Sequence, residues 1–346
     1  MLIRIHSLGF KLGEAVLAPD ELKATVFADD CASEAIRQVR VSKSSSGMFC
    51  LTACNMATWK EMKRDELCRQ YSPSQWSHRM SADEVIKAHE ASLREGTERA
   101  RSITQTLLNV PYGEGQREKL DVYVPTNPSL EMPLVMYLHG GYWEALSKEE
   151  SGFMAVPLVQ KGVAVVAVDY DIAPGGNMDL MVSQVRQSVV SVVQQYAHIS
   201  GVYLCGHSAG AHLAAMILST DWSQYAVTPQ IKGALLVSGI YNLLPILSTY
   251  VNEPLKMTEE VALRNSPGQL VPQMKDSSCD IVVAVAQNDS PEFRKQSEDF
   301  CRALQSSGFR VTFEDVPDTD HFSIIERLVE PDYRLTQLLL KMMNRT

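Results

Sequence analysis

Residues 202–216 read VYLCGHSAGAHLAAM. A short apolar run meets a serine flanked by glycines, and an alanine-rich apolar run follows. That order predicts a strand that turns sharply and becomes a helix. The turn requires Gly206 and Gly210, because a side chain at either position would strike the neighbouring strand or helix. It leaves Ser208 at the tip in strained backbone. Free N–H groups at the start of the helix face any negative charge that develops beside the serine.

The pattern around this unit is of the same kind. From about residue 105, short apolar runs at 120–124, 134–138, 163–168, 202–205, 233–237, 281–286 and 311–313 predict strands. Helical segments lie between them, among them 181–196, 209–219 and 291–307. Most of the strand runs are continuously apolar, as expected of strands covered on both faces. The fold class is therefore α/β, with a mostly parallel sheet and helices on both faces.

The N-terminal third differs. Trp59, Met62, Leu67 and Tyr71 mark a helical stretch that reaches a turn at Ser72-Pro73-Ser74. Ser81-Ala82-Asp83-Glu84 then opens a long charged helix, with acids in its first turn. Residues 1–55 show neither sustained alternation nor a helical stripe, and Val41-Ser42-Lys43-Ser44-Ser45-Ser46-Gly47 reads as linker. The expectation is an N-terminal extension without regular structure over 1–55 and a single catalytic domain over 56–346. One reading is that translation begins at Met56 and that the upstream residues are an extension with little structure.

Composition narrows the partners. Thirty-two basic and 41 acidic residues give a net charge of −9, which disfavours nucleic acid and anionic membranes as ligands. No apolar run approaches the roughly 18 residues of a membrane span. The seven cysteines are odd in number and irregularly spaced, and no zinc-site spacing follows Cys50 and Cys54. Reduced thiols in the cytosol and no metal site are the expectation.

The chemistry rests on three more segments. His139-Gly140-Gly141-Tyr142-Trp143 follows a strand, and glycines there let backbone N–H groups approach a substrate oxygen. With Ala209 they form a candidate oxyanion hole, in which each donor is worth about 3 kcal/mol in a transition state. After a strand–turn–helix serine, the acid and then the histidine follow in chain order. Asp289 ends the run 281–286 and is the candidate acid. His321, after the run 311–313, is the candidate base. Asp318 and Asp320 share a loop with His321 and read as turn and cap residues. His139, His207 and His212 read as structural, as does Asp169. Tyr142 and Trp143 are candidates to contact substrate, although Trp143 could equally pack its loop onto the core.

With these residues on the page, the chain from about Met56 onward resembles the arylformamidase (kynurenine formamidase) family of α/β hydrolases. The resemblance rests on Tyr71-Ser72-Pro73-Ser74-Gln75-Trp76, His139-Gly140-Gly141-Tyr142-Trp143, Gly206-His207-Ser208-Ala209-Gly210-Ala211-His212, Asp289-Ser290-Pro291-Glu292-Phe293 and Asp320-His321-Phe322. It implies the α/β-hydrolase fold and hydrolysis of N-formyl-L-kynurenine, a small-molecule substrate, in tryptophan breakdown. It implies no cofactor and a cytosolic homodimer, with the nucleus as a further location. Ser208, Asp289 and His321 fall on the family's triad positions. A broad short-acyl carboxylesterase would carry the same triad. A catalytically dead hydrolase that binds a ligand is the alternative from another class, and the intact triad and glycine loop argue against it.

Overall fold

The computed structural model describes three strands within residues 1–57 and, from Thr58 on, every residue except 129, 130, 197, 275–277 and 346. The chain divides into two compact units, Met1–Met62 and Lys63–Thr346.

In the first unit β1 (Lys23–Thr25), β2 (Gln38–Lys43) and β3 (Phe49–Cys54) form an antiparallel sheet in that order. This corrects the expectation of an irregular 1–55 at those positions. Val41, Ser42 and Lys43, read as linker, pair with Leu51, Cys50 and Phe49. Val39 and Val41 alternate with Arg40 and Ser42, a strand period too short to stand out in a window of linker composition. The remainder of the 1–55 expectation lies outside the described residues.

The second unit is built on eight strands. They are β4 (Gln105–Pro111), β5 (Lys119–Val124), β6 (Met132–Leu138), β7 (Ala164–Val168), β8 (Ile199–His207), β9 (Ile231–Val237), β10 (Asp280–Ala286) and β11 (Arg310–Val316). Their spatial order is β11-β10-β9-β8-β6-β7-β5-β4. β6 to β11 pair in parallel, while β4 and β5 are antiparallel. The α/β-hydrolase reading of the sequence holds. β7 is buried at every residue and β6 and β10 at all but the first, so both pleats are covered.

Going along the chain, β7 lies on one side of β6 and β8 on the other. The order reverses there, and the carboxyl ends of strands at such a reversal are the usual ligand position in an open α/β sheet. The serine unit follows β8 and the glycine loop follows β6.

The segment 57–104 contains helices Arg64–Gln70 and Ala82–Ile103, with a 3₁₀ turn Pro73–Trp76 between them. Ser81 and Glu84 form a reciprocal capping box at the start of the long helix. Val85, His89, Leu93, Thr97 and Ala100 form its buried stripe at helical spacing. β4 was not expected. It is an edge strand with exposed Leu107 and Leu108, and a bulge at Asn109 (φ 58°) interrupts its period. No described helix is long and apolar enough to cross a membrane.

Candidate active site

Ser208 sits between β8 and the helix Ala209–Leu218 at φ 55°, ψ −118°. Its N–H donates to the Val237 carbonyl at 2.8 Å, which ties the tip of the turn to β9. The flanking glycines are sterically required. A Cβ at Gly206 would lie 2.3 Å from the Gly210 oxygen. One at Gly210 would lie 2.0 Å from the Leu138 oxygen, so the helix start presses directly on the end of β6. That close approach brings the helix start and the loop after β6 together. Ala209 is the first residue of the helix, so its N–H has no acceptor within it.

His139 organises the glycine loop. Its Nδ1 donates to the Gly140 carbonyl at 2.9 Å. In a trans peptide the Gly141 N–H points opposite to that carbonyl, away from His139. The ring stacks on Tyr170 at 4.2 Å, and its Nε2 lies 3.8 Å from Asp169, which is paired with Arg117. His139 and Asp169 are thus loop supports, as the sequence suggests. Gly140 lies beside the serine, since a Cβ there would be 3.3 Å from the Ser208 Cβ.

Asp289 and His321 come together from the ends of β10 and β11. His321 Nδ1 donates to Asp289 Oδ1 at 2.7 Å, which leaves Nε2 with the lone pair. The other oxygen of Asp289 accepts from Ser238 Oγ at 2.5 Å and from the Ala286 N–H at 2.9 Å. Both groups are almost fully buried, His321 against the rings of Phe293 (4.7 Å) and Phe322 (5.6 Å). Asp318 is exposed, with φ 55°, in the turn. Asp320 faces away from the imidazole, toward Arg79 and Ser77, and caps the N–H groups of Phe322 and Ser323.

The neighbouring histidines are fixed and neutral. Burial pushes the His207 pKa well below its ordinary value, with His321 and His89 adding to the effect. Its Nε2 donates to the His321 backbone carbonyl at 2.8 Å, so it holds the main chain of His321 rather than the serine. Burial brings His212 down to about 4.

Of the two readings open for Trp143, substrate contact and packing of its loop, the structure has the packing one: the residue is 0% exposed, and its indole N–H donates to His212 Nδ1 at 3.2 Å. Consecutive left-handed residues, Tyr142 (φ 51°) and Trp143 (φ 61°), fold the loop so that the indole enters the core. Tyr142 remains half-buried, its hydroxyl donating to the Tyr71 carbonyl at 2.7 Å and its ring 6.5 Å from that of Phe293.

Two participants escaped sequence reading. Ser238 supports Asp289 from the left-handed end of β9 (φ 48°); the signal available was Ser238-Gly239 directly after an apolar run. Arg79 reaches the loop of His321 across 241 residues, for which local pattern offers no signal. Among the described residues, no three His, Cys, Asp or Glu side chains converge as a metal site. A serine hydroxyl, an imidazole with its lone pair on Nε2 and a fixed carboxylate, with backbone N–H groups at the helix start and in the glycine loop, are groups that can perform acyl transfer.

A family model described as BD-FAE matches residues 120–293. A kynurenine formamidase of Salmo salar is 79% identical over 294 residues, 84% of this chain and 100% of the relative. That of Danio rerio is 71% identical, over 84% of this chain and 100% of its own. The solved structure of a candidate thioesterase from Silicibacter superposes with TM-score 0.68 at 27% identity, covering 79% of this chain and 98% of its own. The carboxylesterase EstE1 superposes with TM-score 0.60 at 19% identity, over 78% and 97%, and so shares the fold.

Proposed function

The chain belongs to the kynurenine formamidase family, and on that premise we propose that it hydrolyses N-formyl-L-kynurenine to L-kynurenine and formate. Ser208 attacks the formyl carbon while His321 Nε2 takes its proton, and Asp289 holds the imidazole and stabilises its charged form. The N–H groups of Gly141 and Ala209, with Gly140 as a further donor, receive the oxyanion. His321 then protonates the departing arylamine, leaving a formyl ester on Ser208. Water, deprotonated by the same imidazole, releases formate and restores the serine.

The reaction suits this machinery because the aryl ring draws in the nitrogen lone pair. The formanilide bond is therefore closer to an ester in reactivity than an alkyl formamide is. The half-buried Tyr142 lies beside the oxyanion glycines, where it can restrict the acyl side to a group as small as formyl. The reading includes a homodimer in the cytosol, with the nucleus as a second location.

The observation that carries the proposal is the Asp289–His321 pair at 2.7 Å, together with a strained, glycine-flanked serine, in a chain 79% identical to a named formamidase. The test compares N-formyl-L-kynurenine, N-acetyl-L-kynurenine and a short acetyl ester at one pH, using purified protein. Discrimination per methylene is only about 1–3 kcal/mol, so some acetyl ester activity should persist. If the ester is turned over with much higher kcat/KM and N-formyl-L-kynurenine is untouched, the chain is a general esterase instead.

A further inference from the structure

The loop that carries His321 is held from a part of the chain that contributes no strand to the sheet. Asp320 accepts Arg79 Nε at 2.8 Å and Ser77 Oγ at 2.6 Å on one oxygen. On the other it accepts Arg79 Nη2 at 3.2 Å and the N–H groups of Phe322 and Ser323 at 3.1 and 2.7 Å. These bonds wrap the chain around His321 on both sides. Arg79 also reaches Glu326 at 3.1 Å, and Glu326 meets His89 Nδ1 at 2.8 Å.

Among the described residues, the charged and titratable groups placed around His321 can be assigned. Asp289 contacts Nδ1, the neutral His207 holds the carbonyl, and Asp320 is the preceding residue. Glu326, His89 and Arg79 stand behind Asp320. Arg79 is the permanently cationic group of this set. Burial acts against the Asp320 carboxylate, but Arg79, the Ser323 N–H and Ser77 hold its pKa well below the ordinary carboxylate range.

We propose that Arg79 is a positioning residue for the base: it fixes the turn that presents His321 and cancels the charge of the adjacent Asp320. Without Arg79, two carboxylates, Asp320 and Glu326, face the base loop with no permanent cation between them. An uncompensated negative charge beside an imidazole favours its protonated form. The base would then stay protonated, and inactive, to higher pH. The inference rests on His321 acting as the base, as proposed above.

The test uses the full chain carrying Arg79→Gln, Arg79→Lys or the pair Arg79→Gln with Asp320→Asn. Turnover of N-formyl-L-kynurenine and the rate of inactivation by a fluorophosphonate are each followed against pH, with thermal unfolding recorded in parallel. For folded Arg79→Gln, kcat should fall about tenfold or more with KM little changed. The acid limb of both profiles should move up by about half a pH unit. Arg79→Lys should keep the limb in place while losing part of kcat, and the double variant should return the limb to its original pH. A folded Arg79→Gln protein with an unmoved limb and normal kcat overturns the proposal. So does a loss confined to KM or to thermal stability. The fluorophosphonate profile needs no natural substrate. If the unaltered protein is inactivated normally but leaves N-formyl-L-kynurenine intact, the substrate reading fails, and the role of Arg79 is still decided by the limb.

Discussion

The indole N–H of Trp143 donates to Nδ1 of His212 at 3.2 Å, while Nε2 of the same imidazole donates to the Asn265 carbonyl at 2.7 Å. One neutral ring thus links the loop after β6 to the helix behind Ser208 and to the chain at Asn265. Protonation would set an N–H on His212 against the N–H of Trp143, so the link exists only while the imidazole is neutral.

That arrangement makes stability depend on pH. Burial brings His212 from 6.5 to about 4 in the folded chain. Below pH 6.5 the unfolded chain binds this proton and the folded one does not. The stabilising contribution is therefore complete above pH 6.5 and is lost progressively as pH falls toward 4. Unfolding by urea should show a loss of about 2 kcal/mol from this group between pH 7 and pH 5. His212→Gln keeps an acceptor for Trp143 and a donor for Asn265 but does not titrate. Its stability should be visibly flatter over that interval, and an identical slope in both proteins would refute the assignment.

The acid is tested by three single changes. An asparagine at 289 no longer selects the Nδ1–H tautomer of His321, so Asp289→Asn should reduce kcat/KM by about 10³–10⁴-fold. Asp318 is exposed in a turn, and Asp318→Asn should leave turnover within about twofold. Asp320→Asn should be milder than Asp289→Asn, because Asp320 contacts Arg79 and backbone N–H groups rather than the imidazole. If Asp318 or Asp320 proves the more damaging site, Asp289 is not the acid.

Ser238 offers a subtler measurement. Removing its hydroxyl leaves Asp289 Oδ2 with the Ala286 N–H alone. A hydrogen bond to a charged group contributes about 1.5–3 kcal/mol, so Ser238→Ala should lower kcat/KM by about tenfold. The carboxylate becomes more basic without that donor, and the acid limb of kcat/KM should shift upward. A variant with unchanged rate and unchanged pH profile would show that the backbone N–H suffices.

A chain shortened to begin at Met56 should fold and retain kcat/KM. The motivation is that the Salmo salar relative is matched over 100% of its own length by 84% of this chain. Every group assigned to the reaction also lies in the unit Lys63–Thr346. Loss of activity in a folded, shortened protein would give the first unit a part in function.

Much of this was readable before any coordinates. Ser208 and Asp289 each follow a buried parallel strand, and continuous apolar runs betray such strands without ambiguity of face. His321 follows the parallel edge strand β11, in which only Glu314 and Val316 are buried, and was placed by chain order after the acid. β4 was hidden because an edge strand with Leu107 and Leu108 exposed, bent at Asn109, has no apolar period to detect. Trp143 was ambiguous because sequence cannot report backbone handedness, and two successive left-handed residues decide that it points inward. Arg79 was beyond reach for a different reason. Its partners Asp320 and Glu326 are distant in sequence, and a lone arginine before a helix reads as solvated surface.

Residues 71–79 grip two loops at once. The Tyr71 carbonyl takes the Tyr142 hydroxyl beside the oxyanion glycines, and Arg79 takes Asp320 beside the base. This short stretch behaves as a bivalent ligand for its own protein. Once one end is seated, the other meets its partner at an effective concentration of about millimolar, and release requires both to let go. The spacing between the loop after β6 and the loop of His321 thereby depends on both contacts being made by one stretch of chain. A single backbone cut between Tyr71 and Arg79 would turn that one bivalent grip into two independent attachments, loosening both loops while the sheet beneath them stayed whole.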